Sequence, residues 1–291
     1  MPIEAQLIDD AGATVGEGPV WDQAEGALVW VDILAGKVHL SEADGRRLRS
    51  FDVGTHVGDA LPAEGGGWLL VTSDGFSQLR ADGTLTVLLD VHSADPHLRF
   101  NDACCDPAGR AFAGTMRYDE GPGEATLYRL DAGPTGWRAV ALLEGVGLCN
   151  GIGWSPEGTT MYFVDTLSRQ VDAHPYDPET AQMGPARPLC EIDASDGSPD
   201  GLCVDSEGGV WVALYGGGQV RRYLPDGRLD EVVRLPVSKV TCPAFGGEHL
   251  DRLYVTSARA EGEPGSGGLW VAAPGVAGLP VTPWRPGGAS Q

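Results

Sequence analysis

The chain has 291 residues, 42% of them hydrophobic, with 43 glycines, 21 prolines and a formal net charge of −21 from 41 acidic and 20 basic side chains. A field of that sign repels nucleic acid and anionic membrane, so neither is expected as a partner, and the apolar share rules out a disordered chain. The glycines lack a collagen period, and no stretch approaches the ~20 uninterrupted apolar residues of a membrane-spanning helix.

The first residues, Met1 to Ala5, show no basic segment leading into an apolar run, and Ile3–Ile8 reads as a strand with no turn partner of its own. After it, a turn followed by an apolar strand recurs six times. The copies run from Asp22 to Asp32, Pro62 to Thr72, Asp106 to Thr115, Ser155 to Asp165, Asp205 to Leu214 and Gly246 to Thr256. Behind each copy comes a strand, a polar turn and another strand, as in Val38 to Phe51 around Glu42-Ala43-Asp44-Gly45 or Val220 to Leu235 around Pro225-Asp226-Gly227. The last such pair is expected between Leu269 and Trp284, around Pro274-Gly275.

Asx-Gly and Pro-Gly turns between short apolar runs make antiparallel strands, and no segment keeps a 3.6-residue apolar period. Six units of roughly 48 residues are the size of four-stranded propeller blades. The expected fold is all-β: one six-bladed β-propeller over residues 1–291, its blades set around a central channel. The segment 1–9 is expected to close the ring as an extra strand in the blade that ends near Trp284, and 261–268 to form a flexible loop. The six cysteines show no C-x-x-C pair or zinc-finger spacing and read as buried free thiols of a cytoplasmic protein. The six histidines show no metal-binding spacing and read mostly as surface or turn residues, although His56 and His97 stand just before inner strands.

Equivalent positions in a propeller form a ring around the axis, so chemistry is sought at one repeat position compared across blades. Five residues before the turn stand Glu17, Asn101, Asn150 and Asp200, in the contexts Glu17-Gly18-Pro19, Asn101-Asp102-Ala103, Asn150-Gly151-Ile152 and Asp200-Gly201-Leu202. The other two blades place Gly58 and Thr241 there. Each precedes the innermost strand, which brings the four to one mouth of the channel. Carboxylate and amide oxygens without sulfur or imidazole suit a hard divalent cation such as Ca²⁺, Mg²⁺ or Mn²⁺ better than a structural zinc. A single Asn or Asp of this kind would be read as a turn residue; four in register are read as a site.

With these segments, Gly16–Trp21, Arg99-Phe100-Asn101-Asp102, Ala113-Gly114-Thr115-Met116, Asn150–Ser155 and Pro199–Leu202, the chain resembles the gluconolactonase/regucalcin (senescence-marker protein) family over roughly Val15 to Ala260. The resemblance implies one divalent metal, calcium first with Mg²⁺, Mn²⁺, Zn²⁺ or Fe²⁺ as alternatives, held by Glu17, Asn150 and Asp200. It implies that Asn101 beside the metal contacts metal-bound solvent or substrate, that Arg99 holds substrate hydroxyls and that Asp200 doubles as general base. Several relatives carry an acidic substrate contact where this chain has Tyr118. The implied reaction is the hydrolysis of sugar lactones such as gluconolactone, arabinonolactone or xylonolactone to the aldonic acid by a monomer or weak oligomer. Carbonyl polarisation by the metal and proton abstraction by Asp200 make a covalent intermediate unnecessary.

Two rivals remain: a calcium-binding regulator of the regucalcin type, and a related propeller phosphotriesterase or arylesterase. No serine sits in a G-x-S-x-G elbow. The run from Asp193 has Val204 where a calcium loop needs Glu, and Gly145–Gly151 leads into a strand, so neither is a ligand loop.

Overall fold

In the computed structural model, which describes residues 2–287, six antiparallel sheets follow one another in chain order. Their inner strands are Gly16–Asp22, Val57–Pro62, Leu98–Cys105, Cys149–Trp154, Ser198–Val204 and Val240–Gly246, and these open blades I to VI. Each blade is built on four strands around the common axis, a six-bladed propeller, and blades IV and V each carry a short fifth, Gln182–Met183 and Ile3–Glu4. The sole helical piece among the described residues is a single 3₁₀ turn, Ala194–Asp196, at the supposed calcium loop.

Burial falls from axis to rim. In blade I the second strand, Ala27–Asp32, is buried throughout, whereas the outermost, Arg47–Asp52, is largely exposed. A strand covered on both faces reads as a continuous apolar run, which explains Ala27-Leu28-Val29-Trp30-Val31. Packing lies between blades: Val29, Val31, Val38 and Leu40 of blade I meet Ala60, Trp68 and Leu70 of blade II. Each such side chain contributes about 1.5–3 kcal/mol by leaving water.

The turn Asp of the repeat is structural. Asp205 Oδ1 accepts the Glu207 and Gly209 N–H groups, while Oδ2 accepts Trp211 Nε1 at 2.8 Å and Arg222 Nε at 2.7 Å. Asp22 closes its own turn and accepts Trp68 Nε1 of the next blade at 3.1 Å. Fully buried indoles thereby keep their N–H groups satisfied.

The ends of the chain differ from expectation in two respects. Blade VI has only three strands from its own repeat, the last being Leu269–Ala272, and the fourth is Gln6–Asp9, paired antiparallel with it. Ile3–Glu4 instead adds a parallel edge to blade V, against Val233 and Arg234. The expected strand ending at Trp284 is absent because the segment leaves the sheet after Ala272. It bridges Asp205 through Gly278 and Ala63 through Trp284, beneath the channel on the face away from the ring residues. Trp284 is buried there against Trp137. The tract 261–268 is tied by Ser266 Oγ to both backbone groups of Ala260 and by Glu263 to Ser238. Two of the six histidines, His39 and His174, are buried, and the other four are not.

Candidate metal and substrate site

Every inner strand loses register with its neighbour at the same point: after Glu17, Val57, Phe100, Cys149, Pro199 and Val240. A bulge frees one or two residues from the ladder and re-aims their side chains. Asn101, Asn150, Asp200 and Thr241 stand in these bulges, and Glu17 is the last paired residue before one.

The second strands hold the approach to the bulges. Asp32 accepts the Thr14 and Val15 N–H groups at 2.9 and 3.2 Å, just ahead of Glu17. Asp165 does the same for Gly147 and Leu148, ahead of Asn150.

Glu17, Asn101, Asn150, Asp200 and Arg99 are all buried. Arg99 Nη1 donates to Asn101 Oδ1 at 2.8 Å and to the Phe100 carbonyl, and Asn101 Nδ2 donates to the Cys149 carbonyl at 3.0 Å. Asn101 is thereby fixed with its amide already engaged. Asn150 Nδ2 donates to Thr166 Oγ1 at 3.1 Å, and the same hydroxyl donates to the Pro199 carbonyl, linking blades IV and V at the ring. Asn150 Oδ1, in contrast, is buried with no hydrogen-bond partner among the described residues. Tyr118 stands at the rim, 39% exposed, its ring 5.8 Å from the Arg99 guanidinium and its hydroxyl 2.7 Å from His56 Nδ1.

Two carboxylates went unnoticed in the sequence. Asp59 and Asp102 occupy the position after the ring residue, in blades II and III, and both are buried in the channel wall. Asp59 accepts the N–H groups of Ala60 and Ala103 at 2.7 and 3.1 Å, while Asp102 Oδ1 has no partner among the described residues. Comparing one further column of the repeat (Gly18, Asp59, Asp102, Gly151, Gly201, Cys242) would have revealed them.

Four buried carboxylates thus share the channel with Arg99. Burial, then Asp102 and Asp200, pushes the Glu17 carboxyl well above its usual range. Burial and then Asp102 do the same to Asp200, against the opposing pull of Asn150, Arg99 and the Gly201 N–H. Burial raises Asp102 to about 7 although Arg99 counteracts it, and burial, then Asp102, pushes Asp59 well above its usual range against the Ala60 and Ala103 N–H groups. Buried charge of one sign must be protonated, paired or bound to a cation.

The partnerless Asn150 oxygen beside two such carboxylates fits a hard cation held by Glu17, Asn150 and Asp200. Among the described residues no three His, Cys, Asp or Glu side chains converge on one point, so the third donor in this set is an amide. Below the ring the channel widens into a cavity of about 450 Å³, lined in part by Cys104, Cys203 and Cys242 and crossed by Leu279–Thr282. Burial raises these three thiols, Cys104 to about 12, which leaves them protonated packing groups.

Residues 15–259 match the family model described as the SMP-30/gluconolactonase/LRE-like region. Regucalcin of Xenopus laevis is 36% identical over 284 residues, covering 92% of this chain and 94% of its own. YvrE of Bacillus subtilis strain 168, which bears the name of a sugar lactone lactonase, is 34% identical over 280 residues, covering 93% and 94%. The crystal structure of a calcium-binding protein, regucalcin from Agrobacterium tumefaciens C58, superposes with a TM-score of 0.91 at 30% identity, covering 98% of this chain and 99% of that one.

Proposed function

The chain belongs to the SMP-30/gluconolactonase/LRE-like family, and from that premise we propose that it hydrolyses sugar lactones with the help of one divalent cation held by Glu17, Asn150 and Asp200. The observation that carries this reading is the buried Asn150 Oδ1, without a partner among the described residues, at the ring position it shares with the buried Glu17 and Asp200 carboxylates and with Asn101, which Arg99 holds. Calcium is the first choice of ion, because the donors are all oxygen and the Agrobacterium relative is named a calcium-binding protein.

Bound there, the cation supplies electrophilic stabilisation for a lactone carbonyl. The chain's own groups do the rest. Arg99 is a fixed cation pinned by two hydrogen bonds, and it offers its remaining N–H donors to ring hydroxyls of the substrate. Asn101 is held from both ends and orients substrate or water without carrying charge. Tyr118 walls the sugar side at the rim. Asp200 is the proton acceptor for the attacking water, because its carboxylate is a buried ring group that can take a proton beside the cation. Ring opening then yields the aldonic acid directly.

The test is a panel of five- and six-membered aldonolactones, assayed with metal-stripped protein restored one ion at a time. Turnover that disappears on chelation and returns with a divalent ion supports the proposal. Full turnover by protein shown to be metal-free would refute the metal role. Ion binding without opening of any lactone would favour the regulator reading. Faster turnover of paraoxon-type substrates would favour the phosphotriesterase.

A further inference from the structure

On the ring-residue face, beside the site, blades I, II and III leave a polar groove of about 500 Å³ that the lactonase reading does not use. It is walled by Leu34, Asp52, Thr55, His56, Ser73 and Tyr118. Its size falls within the range of about 300–1,000 Å³ typical of small-molecule clefts. Tyr118 belongs to both compartments, because its ring faces Arg99 while its hydroxyl is held by His56 within the groove. A substituent on the sugar hydroxyl nearest Tyr118 would therefore leave the ring site directly into this groove.

The lining defines what can enter. Among the described residues no lysine or arginine lines the groove, so a phosphate or carboxylate would lose its water with no lining cation to replace it. The Asp52 carboxylate repels an anion further. What is offered is a set of neutral or accepting groups: the Thr55 and Ser73 hydroxyls, 2.7 Å apart across the blade I–II junction, the Tyr118 hydroxyl, His56 and Asp52. Beside them lie two apolar surfaces, the Leu34 side chain at 41% and Tyr118 at 39% exposure. Hydroxyl partners along one edge and an apolar platform beside them match the two faces of a pyranose. They match neither an alkyl chain nor an ionic group.

Resting on the lactonase reading of the neighbouring site, we propose that this groove is a subsite for a second, uncharged sugar, so that the preferred substrate is a glycosyl aldonolactone (an aldobionolactone) rather than a monosaccharide lactone. The test compares cellobiono-1,5-lactone and maltobiono-1,5-lactone with glucono-1,5-lactone on the full chain. At least one disaccharide lactone should show a kcat/KM about tenfold above the monosaccharide, the effect of one well-placed set of contacts. Ser73→Trp, which fills the groove, should bring that ratio to one or below. Leu34→Ser should lower it severalfold, and since Leu34 is an exposed turn residue, folding is not at stake in that variant. A ratio at or below one for both disaccharides in the natural chain overturns the subsite, as does a ratio that neither variant changes. If no lactone is opened at all, the lactonase reading fails by itself. Calorimetric titration with cellobiose and maltose then decides the groove: binding lost in Ser73→Trp upholds it, and absence of binding overturns it.

Discussion

Glu17 and Asp200 are both buried carboxylates of the ring, yet their proposed duties differ, and amide substitutions separate them. Glu17→Gln keeps an oxygen donor and loses charge, so it should weaken metal affinity while excess ion restores much of kcat. Asp200→Asn loses the proton acceptor as well, and kcat should fall roughly 10²-fold or more at any metal concentration. Metal titrations of both variants against one good lactone check this, and full rescue of Asp200→Asn would demote Asp200 to a ligand. A second residue-scale expectation concerns His39. Burial, reinforced by Arg47 and Lys37, lowers its pKa to about 3, and Arg47 and Ser50 both lie within hydrogen-bond reach of Nδ1. The unfolded imidazole titrates near 6.5, so between these values the unfolded state binds more protons and stability falls as pH drops. Going from pH 7.5 to 5 this histidine should cost up to about 2 kcal/mol. Urea denaturation at the two pH values should show a correspondingly smaller loss in His39→Asn, which keeps an acceptor without a group that titrates there.

The site is made at the level of the strand by the bulge, and Gly18 shows how tightly the bulges interlock. Its φ of 53° lies in the left-handed region, and a Cβ there would stand 2.4 Å from Asp59 Oδ1 of the next blade. Gly26 has a similar φ of 62° with open space around it. Gly26→Ala should cost only the backbone penalty, about 1–2 kcal/mol, whereas Gly18→Ala should cost more. It must also displace a buried carboxylate that accepts the Ala60 N–H of its own strand and the Ala103 N–H across the blade II–III junction, and metal affinity should fall with it. Equal losses of stability in the two variants would show that the contact is soft. The bulges also explain what the sequence revealed of the site. Glu17, Asn101, Asn150 and Asp200 were legible because they repeat at one distance from a conspicuous turn. Asp59 and Asp102 were not, since strict strand alternation turns the residue after a ring position away from the axis. Only the lost register brings them into the channel wall. The Asn150 oxygen without a partner is likewise a fact of packing that no spacing encodes.

For the whole molecule, six copies of one turn-strand pattern were enough to read the blades and their number, but the joining of the two ends was read only in part. The orphan segment Ile3–Ile8 is expected as one strand of the last blade, and it is divided instead, Gln6–Asp9 going to blade VI and Ile3–Glu4 to blade V. The sixth blade's missing strand and the crossing of the far face by Ala273–Trp284 follow from competition for one sheet edge, which a single segment's pattern does not record. Closure is the larger contribution. Gln6–Asp9 completes blade VI, Ile3–Glu4 extends blade V, and Asp9 accepts from Arg47 Nη2 of blade I at 2.6 Å. The segment 3–9 thus fastens three blades, and Trp270, 4% exposed under this strand, would be uncovered without it. Deleting residues 2–9 should therefore lower the melting temperature of the entire chain in one cooperative step, because opening the ring exposes two sheet edges and loosens every inter-blade core in turn. Calorimetry should show a single, earlier transition, and the truncated chain should bind calcium more weakly, since Glu17 follows the freed segment directly. An unchanged melting temperature would mean that the ring is held shut by the blade VI–blade I contacts alone, Thr241 Oγ1 on the Gly16 carbonyl at 2.6 Å and the Val15–Ala258 bridge. Thr241→Val in the full-length chain would then have to produce the loss that the deletion did not.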